Sequence, residues 1–273
     1  MKTRHWFGLI FVILMSGISL FPIYMILATS FRGDQAFQST SLSVWTSTSN
    51  LFNYSALFSE TNFLRWVLNS TVLSASVTAF GMVIAAISGY SLSRFNIRGK
   101  RPVLAILLAS QMFPATMLLL PFTIILSKMK LMDSFMGLFI IYSATALPFC
   151  IWQMKTYYDS LPNELEEAAK IDGCTPWQTF SKIIWPLSKP ALVVTGLFNF
   201  ISAWCEYVVA AAIIQNPDLL TLPMGLKSFQ SSLSTQWGLY AAASLIVSLP
   251  VVLLFYYLSR YLISGMTLGS VKG

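Results

Sequence analysis

Six apolar runs dominate this chain, each about long enough to cross the 30 Å hydrocarbon core of a bilayer as a helix of roughly 20 residues. They lie near Phe7–Thr29, Trp66–Leu92, Val103–Leu126, Phe135–Met154, Ala191–Ile214 and Leu239–Leu262. Lipid offers no partner for a backbone N–H or C=O, so spans of this kind become helices. The runs therefore predict an all-α membrane protein with six transmembrane helices. Composition agrees: 56% of residues are apolar and 10% charged, against about 25% charged in soluble domains. The apolar run after Lys2, Arg4 and His5 exceeds the 7–15 residues of a signal-peptide core, so an uncleaved first span is expected.

Lysine and arginine set the expected orientation. With the N-terminus inside, Lys2, Arg4, Arg94, Arg98, Lys100, Arg101, Lys155, Lys170, Lys182, Lys189, Arg260 and Lys272 are cytoplasmic. Arg32, Arg65, Lys128, Lys130 and Lys227 are outside. That bias puts both termini in the cytoplasm. It also accounts for the net charge of +7 without nucleic acid. The cluster Arg94–Arg101 reads as an anchor to anionic lipid headgroups, with a docking contact as the other reading. The outside segment Ser30–Arg65, with Trp45, Phe52 and Tyr54, reads as a loop on the membrane surface. Pro22, Pro114, Pro121, Pro148 and Pro250 fall within spans and favour kinks.

One long polar segment, residues 159–190, interrupts this pattern. Five of the ten acidic residues lie here: Asp159, Glu164, Glu166, Glu167 and Asp172. A first short helix is expected from about Pro162 to Asp172, closed at Gly173. Thr175, Pro176 and Gln178 then supply the N-cap, first-turn proline and capping-box partner of a second helix. Pro186 is expected to end it. A two-helix knuckle in water, on a protein otherwise in lipid, suits docking.

Glu167-Ala168-Ala169, Gly173, Ile183 and Pro186 match the pattern E-A-A-x3-G-x9-I-x-L-P, with Trp185 in place of leucine. The chain thereby resembles the permease subunits of ABC importers. Ser264–Gly273 resembles the G-L-T-x-G-G-V-K-G ending of carbohydrate-type permeases, with Met266 and Ser270 as departures. This narrows the resemblance to the shorter permease component of maltose-type importers. The resemblance implies a type I permease bundle over residues 1–273, with a cytoplasmic coupling loop at 159–190 and a cytoplasmic tail at 264–273. It implies a multi-pass protein of the bacterial inner membrane. The implied partners are a second homologous permease, paired with this chain as a heterodimer, two ATPase subunits and an extracytoplasmic substrate-binding protein. Glu167, Ala168, Ala169, Gly173, Ile183 and Pro186 would couple to the ATPase, with Glu167 pairing there or capping its own helix. The tail residues Gly269, Val271 and Lys272 would reach the same interface. The outside loop Gln215–Gln236 would meet the binding protein.

The chain holds no G-x-x-x-x-G-K-[ST] phosphate loop. ATP and Mg belong, on this reading, to the partner ATPases, and this chain binds no cofactor of its own. Three cysteines and one histidine suggest neither a disulfide framework nor a metal site.

Glu206 is the one carboxylate inside an expected span, where charge is costly and commonly functional. It follows Phe200 and Trp204 and precedes Tyr207, which together would fall on one helix face. This resembles a W-N-[DE]-Y element of related permeases, with Cys205 in place of asparagine. Phe200, Trp204, Glu206 and Tyr207, with Asn199 upstream, are the pore or substrate candidates. Aromatic faces suit sugar rings, and packing against another span suits them equally. The expected function is ATP-driven carbohydrate import by alternating access. An ion-coupled secondary transporter and a membrane enzyme are the other classes, disfavoured by the single buried carboxylate and the scarcity of convergent titratable groups.

Overall fold

The computed structural model describes residues 2–33, 44, 49–230 and 235–267. No strand occurs among them. The chain divides into two compact units, residues 1–67 with 224–250, and residues 68–223 with 251–273.

In the first unit, α1 (Lys2–Ser30) carries Pro22 within a continuous helix. Much of its apolar surface, including Ile10, Phe11 and Phe21, is exposed, as suits lipid. The expected surface loop after it contains a helix, α2 (Phe52–Ser59), with Ala56 and Leu57 buried. Asn53 fixes α2 to the end of α1. Its amide donates to the carbonyls of Ser30 (3.0 Å) and Arg32 (2.6 Å). Ser30 Oγ and the Tyr54 hydroxyl share a further bond at 2.8 Å. Trp45 lies outside the described residues. Trp66 packs on Phe229, with ring centroids 5.8 Å apart.

The second unit holds most of α3 (Phe63–Arg94), then α4 (Lys100–Gln111), α5 (Leu119–Lys128) and α6 (Phe135–Ser160). The expected third span, Val103–Leu126, is not one helix. It breaks after Gln111, and the two arms meet at 97°. Pro114 is extended (φ −63°, ψ 136°), and a proline drives its predecessor out of helical geometry. Pro121 falls in the first turn of α5, where its missing N–H costs nothing. Pro148 and Pro250, like Pro22, stay inside continuous helices.

The knuckle follows as α7 (Glu164–Ile171), α8 (Pro176–Thr179), a π-helical turn at Phe180–Ile184 and α9 (Trp185–Leu187). Gly173 takes φ +80°, and both halves of the Thr175–Gln178 capping box form. Pro186 does not end the helix. Trp185 before it is helical (φ −58°, ψ −49°), because the wider π turn relieves the clash a proline ring makes with the preceding turn. The bend, 72°, comes between Leu187 and α10 (Lys189–Trp204). The expected fifth span, Ala191–Ile214, is likewise broken: α10 stops at Trp204 and α11 (Val208–Ile213) begins after Tyr207. α12 (Leu222–Ser228) and α13 (Trp237–Thr267) complete the chain. Among the described residues, four helices are long and apolar enough to cross a membrane singly, and counting each of the two bent pairs as one span gives up to six.

Small residues let the helices of the second unit close. A Cβ on Gly89 of α3 would sit 2.9 Å from both Lys155 N and Met154 Cβ of α6, and one on Gly81 would collide with the Asn199 amide of α10. Ala85, fully buried between them, completes a small-x3-small stripe of the type that binds helices in lipid. Gly89→Ala is expected to cost about 1–3 kcal/mol by overpacking. The readout is a lower thermal unfolding midpoint in detergent. Gly17→Ala, with no atom within 4 Å of the added Cβ, should leave the midpoint unchanged.

Candidate functional site

Two places in the second unit concentrate polar chemistry: the knuckle at one end of α6 and a cavity along it.

The knuckle is built onto the ends of α3 and α6. Leu161 closes α6 in extended geometry (φ −79°, ψ 137°), as the following Pro162 requires. Three acids, Glu164, Glu166 and Glu167, then occupy the first turn of α7, and Lys170 its last. Both placements favour the helix dipole. Ala169 is 2% exposed and Ile184 fully buried. Ile183 and Trp185 pack against the same core, which includes Tyr90, Met154, Tyr158 and Phe180. Tyr90 packs at a tilt on Phe180, with ring centroids 4.9 Å apart, and meets Tyr158 edge-on at 5.7 Å. The Tyr157 hydroxyl donates to the Leu187 carbonyl at 2.8 Å.

Glu166 makes the decisive polar contact, and the sequence reading did not single it out. Its Oε1 accepts from Arg94 Nε at 2.6 Å, and its Oε2 accepts from the Tyr90 hydroxyl at 3.1 Å. Arg94 Nη2 also donates to the Leu161 carbonyl at 2.9 Å. One turn away, Ser93 donates to Asp159 at 2.6 Å, and Asp159 pairs with Lys155. Arg94 is thus committed to the knuckle rather than to lipid headgroups. The available signal was charge pairing: a basic residue at the end of one span and unpaired acids after another.

These bonds fix which knuckle residues face inward. Ala169 and Ile183 are structural. Glu167, Ala168 and Pro186 stay exposed, as do Ile171 at 86% and Trp177 at 64%. Of the small and apolar residues of α7, Leu165, Ala168 and Ile171 are exposed while Ala169 is turned inward. Beside the exposed face lies a cleft of about 500 Å³ lined by Tyr90, Arg94, Glu166, Glu167, Lys170 and Thr179, among others.

The second place is a cavity of about 190 Å³ lined by Tyr142, Thr145, Ala146, Asn199, Ser202, Ala203 and Glu206. Glu206 does not sit inside a helix. It lies in the break between α10 and α11, and its oxygens accept from three donors: the Tyr142 hydroxyl at 2.7 Å, Val209 N at 2.8 Å and Ala210 N at 3.0 Å. The break exposes N–H groups that the carboxylate satisfies, and Tyr142 shares its charge. The aromatic candidates separate. Trp204 is 2% exposed and stacks on Phe200 at 5.4 Å, which is packing. Tyr207 lies beyond the break, so Phe200, Trp204 and Tyr207 share no helix face. Asn199 and Glu206 are the sequence candidates that line the cavity. Tyr142, Thr145 and Ser202 join them from positions that hydropathy alone does not mark.

With this geometry established, comparison with known proteins identifies the chain. A family model described as "Binding-protein-dependent transport system inner membrane component" matches residues 78–268. The chain belongs to this family. It is 33% identical over 267 residues to the maltodextrin transport system permease protein MdxG of Bacillus subtilis, covering 97% of this chain and 95% of that protein. It is also 33% identical over 273 residues to the diacetylchitobiose uptake system permease protein DasC of Streptomyces coelicolor, covering 99% and 98%. The fold matches a chain of the crystal structure of a bacterial ABC transporter involved in the import of the acidic polysaccharide alginate. The TM-score is 0.82 at 22% identity, with 96% of this chain and 98% of that one covered. The permease is a multi-pass inner-membrane protein with the ABC importer permease fold. The tail residues Gly269, Val271 and Lys272 lie outside the described residues.

At the opposite end of α6 a clamp holds the loop after α11. Asp133, at φ +53°, accepts from Gln215 N and Asn216 N, both at 2.9 Å. Asn69 donates to the carbonyls of Asp218 (3.0 Å) and Leu220 (2.8 Å), and Ser70 Oγ accepts from Leu222 N at 2.7 Å. Asn216, Pro217 and Asp218 form a turn here, with the Asn216 side chain accepting from Asp218 N.

Two predictions follow from these bonds. The Asn216 and Gln215 amides hold the Asp133 carboxyl below the usual carboxylate range. A depressed pKa stabilises the folded loop above the unfolded value, and that stabilisation is lost as pH falls through the folded value. The protection of the Gln215 and Asn216 amides against hydrogen exchange, relative to their intrinsic rates at each pH, should therefore fall in acid, below the ordinary aspartate pKa, and Asp133→Ala should lack that protection at every pH. At the knuckle, Arg94→Glu and Glu166→Arg should each expose residues 161–187 to protease, since a charged hydrogen bond contributes about 1.5–3 kcal/mol. The double exchange should restore protection in part. Equal protection in all four proteins would remove the pair's positioning role.

Proposed function

We propose that this permease is one of two membrane subunits of an ATP-driven carbohydrate importer, and that residues 161–187 couple it to the ATPases. The carbohydrate assignment is supported by relatives over nearly the whole chain whose names specify maltodextrin and diacetylchitobiose. A di- or oligosaccharide, or a related glycoside or polyol, is the substrate class. The carrying observation for coupling is the rigid seating of the knuckle. Arg94, Tyr90, Ala169, Ile183 and Ile184 fasten it to the transmembrane helices, while Glu167, Ala168, Ile171 and Trp177 remain exposed. A partner that grips this face moves the helices with it.

In this reading the termini and knuckle are cytoplasmic. Two ATPase subunits bind ATP and Mg, and this chain carries neither an ATPase site nor a cofactor. Glu167 and Ala168 meet the ATPase. Gly173 and Pro186 shape the element, and Ala169 and Ile183 anchor it. The tail residues Gly269, Val271 and Lys272 add a second contact to the ATPase. A second homologous permease completes the pathway as a heterodimer, and the loop Gln215–Gln236, clamped at its start, faces the substrate-binding protein. ATPase closure would favour one of two arrangements of the helices, giving alternating access.

The test is recovery of partners. The tagged chain, purified gently from its native membrane, should bring down an ATPase and a second permease. Glu167→Lys and Ala168→Arg alter only exposed positions. Each should lose the ATPase at least tenfold while retaining the second permease. Recovery of the chain alone, or an ATPase that survives both substitutions, would overturn the coupling assignment.

A further inference from the structure

The cavity beside the α10–α11 break has a wall whose hydrogen-bonding capacity is unevenly used. Glu206 spends its oxygens on three protein donors. Tyr142 spends its proton on Glu206, and Thr145 spends its proton on the carbonyls of Ile141 and Tyr142, both at 3.1 Å. The hydroxyl oxygens of Tyr142 and Thr145 keep lone pairs with no proton left to give. Asn199 is 2% exposed; its Nδ2 donates to the Val77 carbonyl at 3.3 Å, and its Oδ1 has no partner. A buried amide oxygen without a donor is rare in folded proteins and costly. Ser202, exposed on the same wall, can give as well as accept. The sum is a surplus of acceptors around one negative charge.

That surplus selects a ligand. It calls for several O–H or N–H donors and disfavours an anion. The groups that would build a metal site are missing: no cluster of three His, Cys, Asp or Glu side chains occurs among the described residues. The volume of about 190 Å³ equals roughly six waters at about 30 Å³ each, the scale of a single sugar ring. We propose that this cavity is a subsite for one ring of an uncharged polyhydroxylated ligand, with Asn199, Thr145 and Ser202 as its hydrogen-bonding wall and Glu206 excluding acidic sugars. The subsite rests on the carbohydrate reading above and adds that this subunit itself touches the substrate.

The complete transporter, reconstituted in vesicles, carries Ser202→Cys in a chain whose other accessible thiols are removed by Cys174→Ser and Cys205→Ser. Maltotriose and diacetylchitobiose serve as neutral probes and digalacturonate as the acidic one. The neutral sugar that is imported should slow maleimide labelling of the introduced thiol at least tenfold, and digalacturonate should not. Thr145→Val, which keeps the side chain's shape, should raise the KM for uptake about tenfold with little change in maximal rate. Asn199→Leu should do the same if the lost bond to Val77 is tolerated; the Thr145 variant does not depend on that bond. Import of a neutral sugar with unaltered labelling and an unaltered Thr145→Val KM would overturn the subsite while leaving the importer intact. Equal protection by digalacturonate would overturn the charge selection. Import of neither neutral sugar, nor of any other glycoside or polyol in a panel, would overturn the carbohydrate reading and the subsite with it.

Discussion

The second unit depends on how closely α3 approaches its neighbours. In lipid no hydrophobic drive separates one apolar helix face from another, so association rests on packing and on the few hydrogen bonds that close approach permits. Gly81, Ala85 and Gly89 remove the side-chain bulk that would hold α3 away from α6 and α10. Two sets of polar contacts in this unit follow from that approach. At Gly89 the backbone of Met154 and Lys155 comes within reach, which places Asp159 beside Ser93 and Glu166 beside Arg94. At Gly81 the Asn199 amide slides over the glycine and reaches the Val77 carbonyl. The knuckle and the cavity are consequences of one stripe.

The break between α10 and α11 shows how a membrane protein accommodates a carboxylate. A charged group in the middle of an apolar helix has no donors nearby, since the helix has used its own. Interrupting the helix releases N–H groups, and Glu206 takes those of Val209 and Ala210. Tyr142 from α6 supplies the third donor. Beside the same interruption lies the cavity between α6 and α10, with Ser202 and Asn199 on its wall. Charge, break and cavity explain one another.

Much of this was legible in sequence because it rests on local rules. The knuckle's cap at Thr175–Gln178, its left-handed Gly173 and its position after the fourth apolar run are all encoded by residues adjacent in the chain. The interruptions were not, because hydropathy averages over a window and cannot see a bend. Val103–Leu126 and Ala191–Ile214 remain apolar through their breaks, so both read as single spans. Pro186 misled for the opposite reason: a local rule was overridden by the π turn that precedes it. Arg94 and Glu166 are 72 residues apart, and only the packing of α3 on α6 makes them partners. Nothing in the spacing of Phe200, Trp204 and Tyr207 showed that the helix carrying the first two would stop before the third.

The geometry also explains how events at the knuckle could reach the cavity. α6 is one continuous helix of 26 residues, about 39 Å long at 1.5 Å per residue. Its N-cap is Ser134, whose side chain accepts from Gly137 N, next to the Asp133 clamp. Its middle supplies Tyr142 and Thr145 to the cavity. Its last turns supply Met154, Tyr158 and Asp159 to the seat of the knuckle. A helix resists compression far better than bending, so axial displacement at Tyr158 is passed to Tyr142 with little loss. Bending is a different matter. Pro148 lies between the cavity and the knuckle, and its absent N–H removes one rung of the ladder there. The rod is therefore stiff along its axis and most compliant at a point between its two working ends. A push from the knuckle would shift Tyr142 relative to Glu206, while a lateral pull would be absorbed at Pro148.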